Sequence, residues 1–281
     1  MSLRCTKAII AVGGFGTRWL PLTKAIEKCM LPVGNRPVVD YLVEDCVKAG
    51  IKDIYFVVSK QSAQIRQYYG DNEQLYRHLE QKDKAAELER LEKISAQANF
   101  HFVVQSPSMP YGTAVPVMLC EQYIQPDEQA VVLMGDNFIW NKDGRSEVAH
   151  LLNEVKAAGL TAGMVVAPVP KSEVHKYGIV ETAQHHHKRF FKRIVEKPSP
   201  KDAPTNLNNV SMYVFDKELF ACLQHVKPTK GEYLLVDALN VYARELKRQL
   251  TVVVTKGEYL DCGDLPGWQH ANQFIARHRT E

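Results

Sequence analysis

The chain has 281 residues, a formal net charge of +3, 45% apolar residues and 24% charged residues. These values are ordinary for a globular protein, and the charge is too small to favour nucleic acid or an anionic membrane as a partner. No apolar run reaches the roughly 18 residues that cross a bilayer, and the first residues lack a signal-peptide pattern. The six cysteines are scattered without a C-x-x-C pair, which favours free thiols. We therefore expect a cytoplasmic protein.

The first half of the chain alternates short apolar segments with amphipathic ones. This is the pattern of βαβ units, which form a parallel sheet with right-handed crossovers. The predicted strands are 7–12, 53–58, 100–105 and 129–134, and the predicted helices are 38–50, 62–69 and 113–123.

The segment 72–97 interrupts this alternation. It is rich in Glu, Lys, Leu and Ala and contains neither Gly nor Pro, so we predict a helical insertion. Its apolar positions change phase near 82–84, where we expect a break. The insertion could support oligomer contacts, or it could equally be a solvated helical excursion.

The second half is more mixed. A helix near 146–158 and a strand near 161–169 continue the alternation, and two strands then pair around the polar turn 183–188. Later elements are strands at 210–216, 251–255 and 259–261 and helices at 234–247 and 266–278. Without a linker or an internal repeat, the simplest interpretation is one domain over 1–281.

A glycine turn follows the first strand, in AIIAVGGFGTRWLP. Gly13, Gly14 and Gly16 allow a tight turn close to a ligand, and the cations Arg18, Lys24 and Lys28 that follow suggest a phosphate-rich ligand. A purely structural turn is as probable on the glycines alone. No Gly-Lys-Ser/Thr follows, so the motif is not a P-loop. Trp19 occupies the place of the last glycine of a dinucleotide motif, so hydride chemistry fits poorly.

Two aspartates follow apolar strands. Asp136 comes after QAVVLMG at the carboxyl end of a predicted central strand, where it either caps a turn or holds a hard cation. Asp261, in GEYLDCGD, repeats the arrangement, whereas its neighbour Asp264 is interpreted as a turn residue. Together Asp136 and Asp261 could hold one Mg²⁺ and leave positions for phosphate oxygens, which suits phosphoryl or nucleotidyl transfer.

Glu196 and Lys197 end another strand, in VEKP. The acid could accept hydrogen bonds from sugar hydroxyls and the cation could meet a phosphate, although an exposed ion pair is the commoner explanation. The run 185–187 is three histidines in a turn, whose side chains point in different directions. We interpret it as solvent-exposed rather than as a metal site.

These motifs occur in a fixed order: GGFGTRWLP with TK and LP, then GDN, YGIVE, VEKP and YLDCG. The set resembles the sugar-phosphate nucleotidyltransferases over essentially the whole chain, and the branch that uses UTP and glucose 1-phosphate fits best. The resemblance implies an α/β, Rossmann-like three-layer domain with a mixed, mostly parallel central sheet. It also implies a nucleotide-binding half over about 1–140, a sugar-phosphate-binding half over about 141–281, and a homo-oligomer.

The resemblance further implies that UMP passes from UTP to glucose 1-phosphate by direct in-line attack, with Mg²⁺ as cofactor. Arg18, Lys28 and Lys197 would be the catalytic cations, and Asp136 and Asp261 the metal ligands. The implied nucleotide-binding residues are Gly13, Gly14, Gly16, Gln105 and Gly112. Those implied for the sugar phosphate are Gly178, Glu196, Lys197 and Val210.

Three residues depart from the family pattern. Cys29 stands where Glu or Gln is usual, Pro110 replaces a glycine whose N–H helps bind the base, and Ser211 replaces a glycine of the sugar-site strand. The first two leave dTTP open as the nucleotide, and the third leaves the hexose open. A non-catalytic paralogue that binds a sugar nucleotide is a further alternative, although retention of both aspartates and the three cations argues against it.

Overall fold

The computed structural model describes residues 3–278. Its strands are β1 (Arg4–Ala11), β2 (Pro32–Val33), β3 (Arg36–Pro37), β4 (Asp53–Ser59), β5 (Asn99–Gln105), β6 (Glu128–Met134), β7 (Asn137–Trp140), β8 (Gly163–Pro168), β9 (Gly178–His185), β10 (Lys188–Glu196), β11 (Leu207–Phe215), β12 (Thr251–Val254) and β13 (Glu258–Asp261). Its α-helices are α1 (Val38–Lys48), α2 (Gln64–Tyr69), α3 (Glu73–Gln81), α4 (Ala85–Ala96), α5 (Ala114–Cys120), α6 (Glu147–Ala157), α7 (Lys217–Cys222), α8 (Leu235–Arg244) and α9 (Leu265–His278).

The first half builds a parallel sheet in the order β5-β4-β1-β6. The central strands are almost entirely buried because helices cover both faces of the sheet, which explains their continuous apolar runs. Helices α1, α2, α6 and α9 contribute to the core on one face, and α5, α7 and α8 to the core on the other. All four parallel strands end at the same edge of the sheet.

The second half continues the sheet from β6 through β11, β8, β12, β10 and β9. Strand β11 also pairs with β9, at Asn208 and Ile179, so these last five strands form a closed ring. A bulge between Asn209 and Tyr213 bends β11. The residues after the bulge pair with β6 and those before it reach β9, so one strand joins the sheet to the barrel.

The predicted α/β fold with a mixed sheet is confirmed, but two details of the fold prediction are wrong. A Rossmann-like three-layer sandwich does not describe the second half, because its five strands close into a barrel. The sheet is also not mostly parallel, since within residues 3–278 four strand pairings are parallel and five are antiparallel. The antiparallel pairings all involve strands that follow β8, where the βα alternation of the sequence ends.

The helical insertion is confirmed, and so is its break. Helices α3 and α4 are separated at residues 82–84, and Asp83 there has a φ of 53°. The oligomer contacts suggested for this insertion stay a prediction. No helix in the described range 3–278 is long and apolar enough to cross a membrane.

Most predicted elements are present, but β2, β3, β7 and α7 were missed. The most consequential is β7, which directly follows the GD turn after β6 and pairs with β13 in an antiparallel ladder. Its four residues are too few for periodicity to reveal, and its partner lies more than a hundred residues away. This ladder brings the two predicted metal ligands together.

Candidate active site

The site begins at the carboxyl edge of the parallel strands. After β1, Val12 N–H donates to Val57 O over 3.0 Å, and Gly135 N–H, after β6, donates to Ala11 O over 3.0 Å. The segments that leave β1, β4 and β6 are therefore fixed beside one another. Ligands of open α/β sheets bind at such an edge, where strand ends bring loops together.

The glycine turn after β1 is held closely against β4. A methyl group on Gly13 would lie 3.1 Å from Val58 C and 3.2 Å from Ser59 N, so a larger residue does not fit there without a shift. Gly16 has a φ of 61°, and its carbonyl accepts a hydrogen bond of 2.9 Å from Thr23 Oγ1. In contrast, a methyl group on Gly14 would meet no other atom within 4 Å. The turn thus requires glycine at 13 and 16 for its shape, and Gly14 faces open space.

Lys28 and Asp136 form the central ion pair of the site. Lys28 Nζ donates to Asp136 Oδ2, and Asn137 Nδ2 donates to Asp136 Oδ1 over 3.2 Å. Burial alone would raise the pKa of Asp136, but the positive charges of Lys28 and Arg18 outweigh burial and hold it below its ordinary value. Asp136 is therefore a carboxylate at neutral pH, beside two cations.

The β7–β13 ladder brings Asp261 to Asp136. Asp261 pairs with Asn137, and Cys262 N–H donates to Asp136 O over 2.9 Å. Burial and the nearby negative charge of Asp136 raise the pKa of Asp261, although Gly263 N–H stabilises the carboxylate by a 2.7 Å hydrogen bond to Oδ1. Asp136 is thus close enough to oppose the ionisation of Asp261, as expected of two ligands of one cation.

Arg18 completes this charged cluster. A methyl group on Gly263 would lie 3.4 Å from Arg18 Nη2 and 2.8 Å from Asp261 Oδ1, so the guanidinium lies beside the Asp261–Gly263 segment. Arg18 and Lys28 lie in one segment after β1, and the fold brings Asp136 and Asp261 to them from distant parts of the sequence. Lys24, the third cation of the glycine turn, is exposed on the loop before Lys28.

Gln105 ends β5, next to Ser59 at the end of β4. Its Nε2 donates to Pro110 O over 3.3 Å, which fixes the amide against the loop that follows. Gly112, in the same loop, has a φ of 130°, and any side chain there would collide with the backbone of Tyr233. The loop is fastened to that segment because Tyr233 N–H donates to Tyr111 O over 2.8 Å.

On the barrel side, Gly178 pairs with Glu196 across β9 and β10. A methyl group on Gly178 would lie 2.9 Å from Glu196 Oε2, so glycine leaves room for this carboxylate. Lys197 follows with a φ of 47°, and its N–H donates to Tyr177 O over 2.9 Å. Both Glu196 and Lys197 are exposed at the strand end.

Tyr177 joins this group to the charged cluster. Burial and the carboxylates of Asp261 and Glu173 raise the pKa of Tyr177 to about 12, which places its phenol near Asp261. Neither Tyr177 nor Asn137 is among the predicted site residues. Only their positions in the sequence could have indicated them, because each is adjacent to a predicted site residue, in YGIVE and GDN.

Other predicted residues have different surroundings. The side chain of Val210 is 1% exposed and packs in the core, so only its backbone can line a pocket. Cys29 is buried as well. Asp264, predicted to be a turn residue, caps α9, because its Oδ1 accepts from Gly267 N–H over 3.0 Å at the start of that helix. The three histidines at 185–187 are exposed in the β9–β10 turn, also as predicted.

The model of the Nucleotidyl transferase family matches residues 7–278. The chain belongs to the nucleotidyl transferase family. A UTP–glucose-1-phosphate uridylyltransferase of Bacillus subtilis is 36% identical over 236 residues, which cover 83% of this chain and 79% of that protein. The resemblance drawn from the motifs is therefore confirmed.

Solved structures agree. A UTP-bound UGPase from Acinetobacter baumannii is 28% identical, with a TM-score of 0.89 over 99% of this nucleotidyl transferase and 95% of that chain. A UDP-glucose pyrophosphorylase complexed with UDP-glucose is 26% identical, with a TM-score of 0.85 over 98% of this chain and 100% of the other. The α/β nucleotidyl transferase fold with its mixed sheet is thus shared with proteins solved with a nucleotide or a nucleotide sugar.

Proposed function

We propose that this nucleotidyl transferase moves UMP from UTP to glucose 1-phosphate and releases pyrophosphate. The observation that carries the proposal is the convergence of Arg18, Lys28, Asp136 and Asp261 between a parallel strand edge and a barrel rim. Relatives and structural neighbours that act on or bind UTP and UDP-glucose support the choice of substrates.

The nucleotide would lie along the carboxyl edge of β1, β4 and β5. The glycine turn leaves space for the triphosphate, and Arg18 and Lys28 supply positive charge for it. Because Gln105 Nε2 already donates to Pro110 O, its Oε1 is the atom suited to accept the imide N–H of a pyrimidine. Uracil and thymine share that N–H, so Gln105 selects for the imide and does not separate UTP from dTTP.

The sugar phosphate would lie at the barrel rim. Glu196 accepts hydrogen bonds only, as a carboxylate that faces sugar hydroxyls must, and Lys197 supplies a cation for the phosphate. Gly178 keeps the surface beside Glu196 open, since a side chain there would press on Oε2. Tyr177 places this group beside Asp261, which lies next to the proposed triphosphate site.

Asp136 and Asp261 fit a Mg²⁺ ion by their chemistry. Both are carboxylates, and the charge of Asp136 opposes ionisation of Asp261, as expected where one cation would be shared. Two carboxylates that leave the remaining positions to phosphate oxygens and water are typical of Mg²⁺ sites in phosphoryl transfer. When bound there, Mg²⁺ would offset negative charge on the reacting phosphates.

In the proposed reaction, a phosphate oxygen of glucose 1-phosphate attacks the α-phosphorus of UTP as the bond to pyrophosphate breaks. That oxygen is already ionised at neutral pH, so no general base is needed. Lys28 and Arg18 stabilise the triphosphate charge, and Lys197 holds the attacking phosphate in line. Burial raises the pKa of the nearby thiols Cys29 and Cys262, so both stay protonated and unsuited to covalent catalysis.

The test is to incubate the protein with Mg²⁺, glucose 1-phosphate and, in separate reactions, UTP, dTTP, CTP, ATP or GTP, and to measure pyrophosphate. We expect release with UTP above all. A higher kcat/KM with dTTP would make the chain a thymidylyltransferase. No release with any triphosphate, despite binding of UDP-glucose, would contradict catalysis and favour a regulatory sugar-nucleotide-binding protein.

We also propose that the protein is a cytoplasmic homo-oligomer with the α3–α4 insertion at a subunit contact. Sedimentation analysis of the intact chain tests the oligomer. A dimer or tetramer that becomes monomeric when exposed Leu75 in α3 is changed to Lys would support it. A monomer in the unaltered protein would contradict it.

A further inference from the structure

Trp19 connects the nucleotide side of the site to the barrel side. It directly follows the exposed Arg18, yet its own side chain is 5% exposed. Its Nε1 donates to the carbonyl of Cys262 over 3.3 Å, across 243 residues of sequence. The ring also meets Trp268 of α9 in a T-shaped contact with 5.8 Å between centroids.

Hydrogen bonds also fix the backbone on both sides of that carbonyl. Cys262 N–H donates to Asp136 O over 2.9 Å, and the carboxylate of Asp261 accepts from Gly263 N–H over 2.7 Å. Trp19 thus bonds the Cys262–Gly263 peptide, which directly follows the predicted metal ligand Asp261. Because this backbone is fixed against both aspartates, the hydrogen bond holds Trp19 in place relative to them.

Trp268 packs behind Trp19 and is itself fixed by a hydrogen bond. Its Nε1 donates to Pro32 O over 2.7 Å, and Asn272 Nδ2 donates to the same carbonyl over 3.2 Å. Pro32 lies at the end of the segment that contains Lys28. The tryptophan pair therefore touches the segments of Arg18, Lys28 and Asp261, although neither ring belongs to the charged cluster.

An apolar core position does not by itself require tryptophan, because phenylalanine fills such a space without a polar atom to satisfy. The indole N–H adds a hydrogen bond that orients the ring. It fixes how Trp19 is turned against Cys262, and Arg18 is the residue next to it, with its guanidinium beside Gly263.

We propose that Trp19 is a positioning residue, whose hydrogen bond to Cys262 holds the Arg18 guanidinium over the Asp261–Gly263 segment. The inference rests on the proposed function, since it assigns the part that Arg18 plays at the triphosphate. Trp19 is buried behind Arg18, and the proposal assigns the effect of its N–H on turnover to the placement of Arg18.

The test is a double-mutant cycle of Trp19→Phe and Arg18→Ala. Trp19→Phe keeps a ring but loses the N–H donor. We expect it to lower kcat/KM for UTP about fivefold in the unaltered protein, the size of one neutral hydrogen bond, and by less than twofold in the Arg18→Ala background. Calorimetric binding of UTP is measured over the same cycle and should show the same non-additivity.

Trp140→Phe is the matched control. Trp140 lies on β7 and packs against Phe274 of α9, away from Arg18, so its effect should be the same factor in both backgrounds. An equal loss from Trp19→Phe with and without Arg18 would show a merely structural role and overturn the inference, as would no loss in either background. Absence of pyrophosphate release by the unaltered protein would instead contradict the proposed function, while the binding cycle would still report on Trp19.

Discussion

The two halves of the site are built in different ways. On the proposed nucleotide side, four parallel strands end at one edge, and the candidate groups lie on the loops that leave them. On the proposed sugar-phosphate side, the candidate groups lie at the ends of antiparallel strands in a closed barrel, where Gly178 faces Glu196 because of strand register. Strand direction places the groups of the parallel side, and strand register places those of the barrel side.

This difference determines how firmly the side chains of each side are held. The parallel side contains the densest charge, with Lys28 and Asp136 joined in an ion pair and Arg18 close enough to lower the pKa of Asp136. The barrel side has exposed groups with fewer restraints, since Glu196 and Lys197 are at a strand end. Substitutions on the parallel side should therefore affect turnover, and those on the barrel side should affect recognition of the sugar phosphate.

Asp136→Ala should have the largest effect. It removes one proposed metal ligand and leaves Lys28 without its partner, so we expect kcat/KM to fall at least about 100-fold. Mg²⁺ titrations of activity should lose their saturation, and circular dichroism should show an unchanged fold. Asp143→Ala, on the exposed loop after β7, is the matched control and should have near-normal turnover. Near-normal turnover of Asp136→Ala would show that the metal has been placed wrongly.

Glu196→Gln should affect the barrel side alone. The change replaces a charged acceptor of hydroxyl hydrogen bonds, worth about 1.5–3 kcal/mol, so KM for glucose 1-phosphate should rise about tenfold or more. KM for UTP should stay within twofold. Glu181→Gln serves as control, because Glu181 on β9 is paired with Lys192 and Arg193 away from the site. An unchanged KM for the sugar phosphate would argue against the assignment of Glu196.

Strand direction also explains how much the sequence could predict. The apolar runs before Gly13, Gln105 and Asp136 predicted parallel strands, and parallel strands place their carboxyl ends together, so the nucleotide edge followed. The barrel did not follow, because its closure depends on the bulge in β11 at Ser211 and on one pairing between Asn208 and Ile179. Likewise, the meeting of Asp136 with Asp261 depends on β7, which was too short to recognise.

Asp45 lies at a contact between the two halves of the chain, where α1 meets α6. It lies on α1 and accepts from Val148 N–H, at the start of α6, over 3.3 Å. Burial raises the pKa of Asp45 to about 6. The folded state therefore binds this proton more tightly than the unfolded state, and the resulting stability is present at low pH and lost as pH rises through about 6.

Asp45→Asn removes this titration. Between pH 4 and pH 7.5, the unaltered protein should lose about 1–2 kcal/mol of its free energy of unfolding that the Asp45→Asn variant keeps. Urea unfolding at both pH values measures the difference. A parallel pH dependence of the Asp45→Asn variant and the unaltered protein would mean that the carboxyl does not titrate in this range.

Ser211→Gly should have the smallest effect, on the barrel side. Ser211 has a φ of 56°, a conformation that costs a residue with a Cβ about 1 kcal/mol more than glycine. We expect the free energy of unfolding in urea to rise by about 0.5–1 kcal/mol. Ser95→Gly, within α4, should instead lower it by a similar amount, since glycine is disfavoured inside a helix. Equal changes at the two positions would contradict the strain assigned to Ser211.

In the proposed reaction, a triphosphate on the parallel side and a sugar phosphate on the barrel side react directly with each other. The stereochemical course at the α-phosphorus tests it. UTP with sulfur in place of one α-oxygen, in a single configuration, is converted with glucose 1-phosphate, and the product is assigned by ³¹P NMR. One in-line displacement predicts inversion of configuration, whereas retention would require a covalent intermediate and contradict the account.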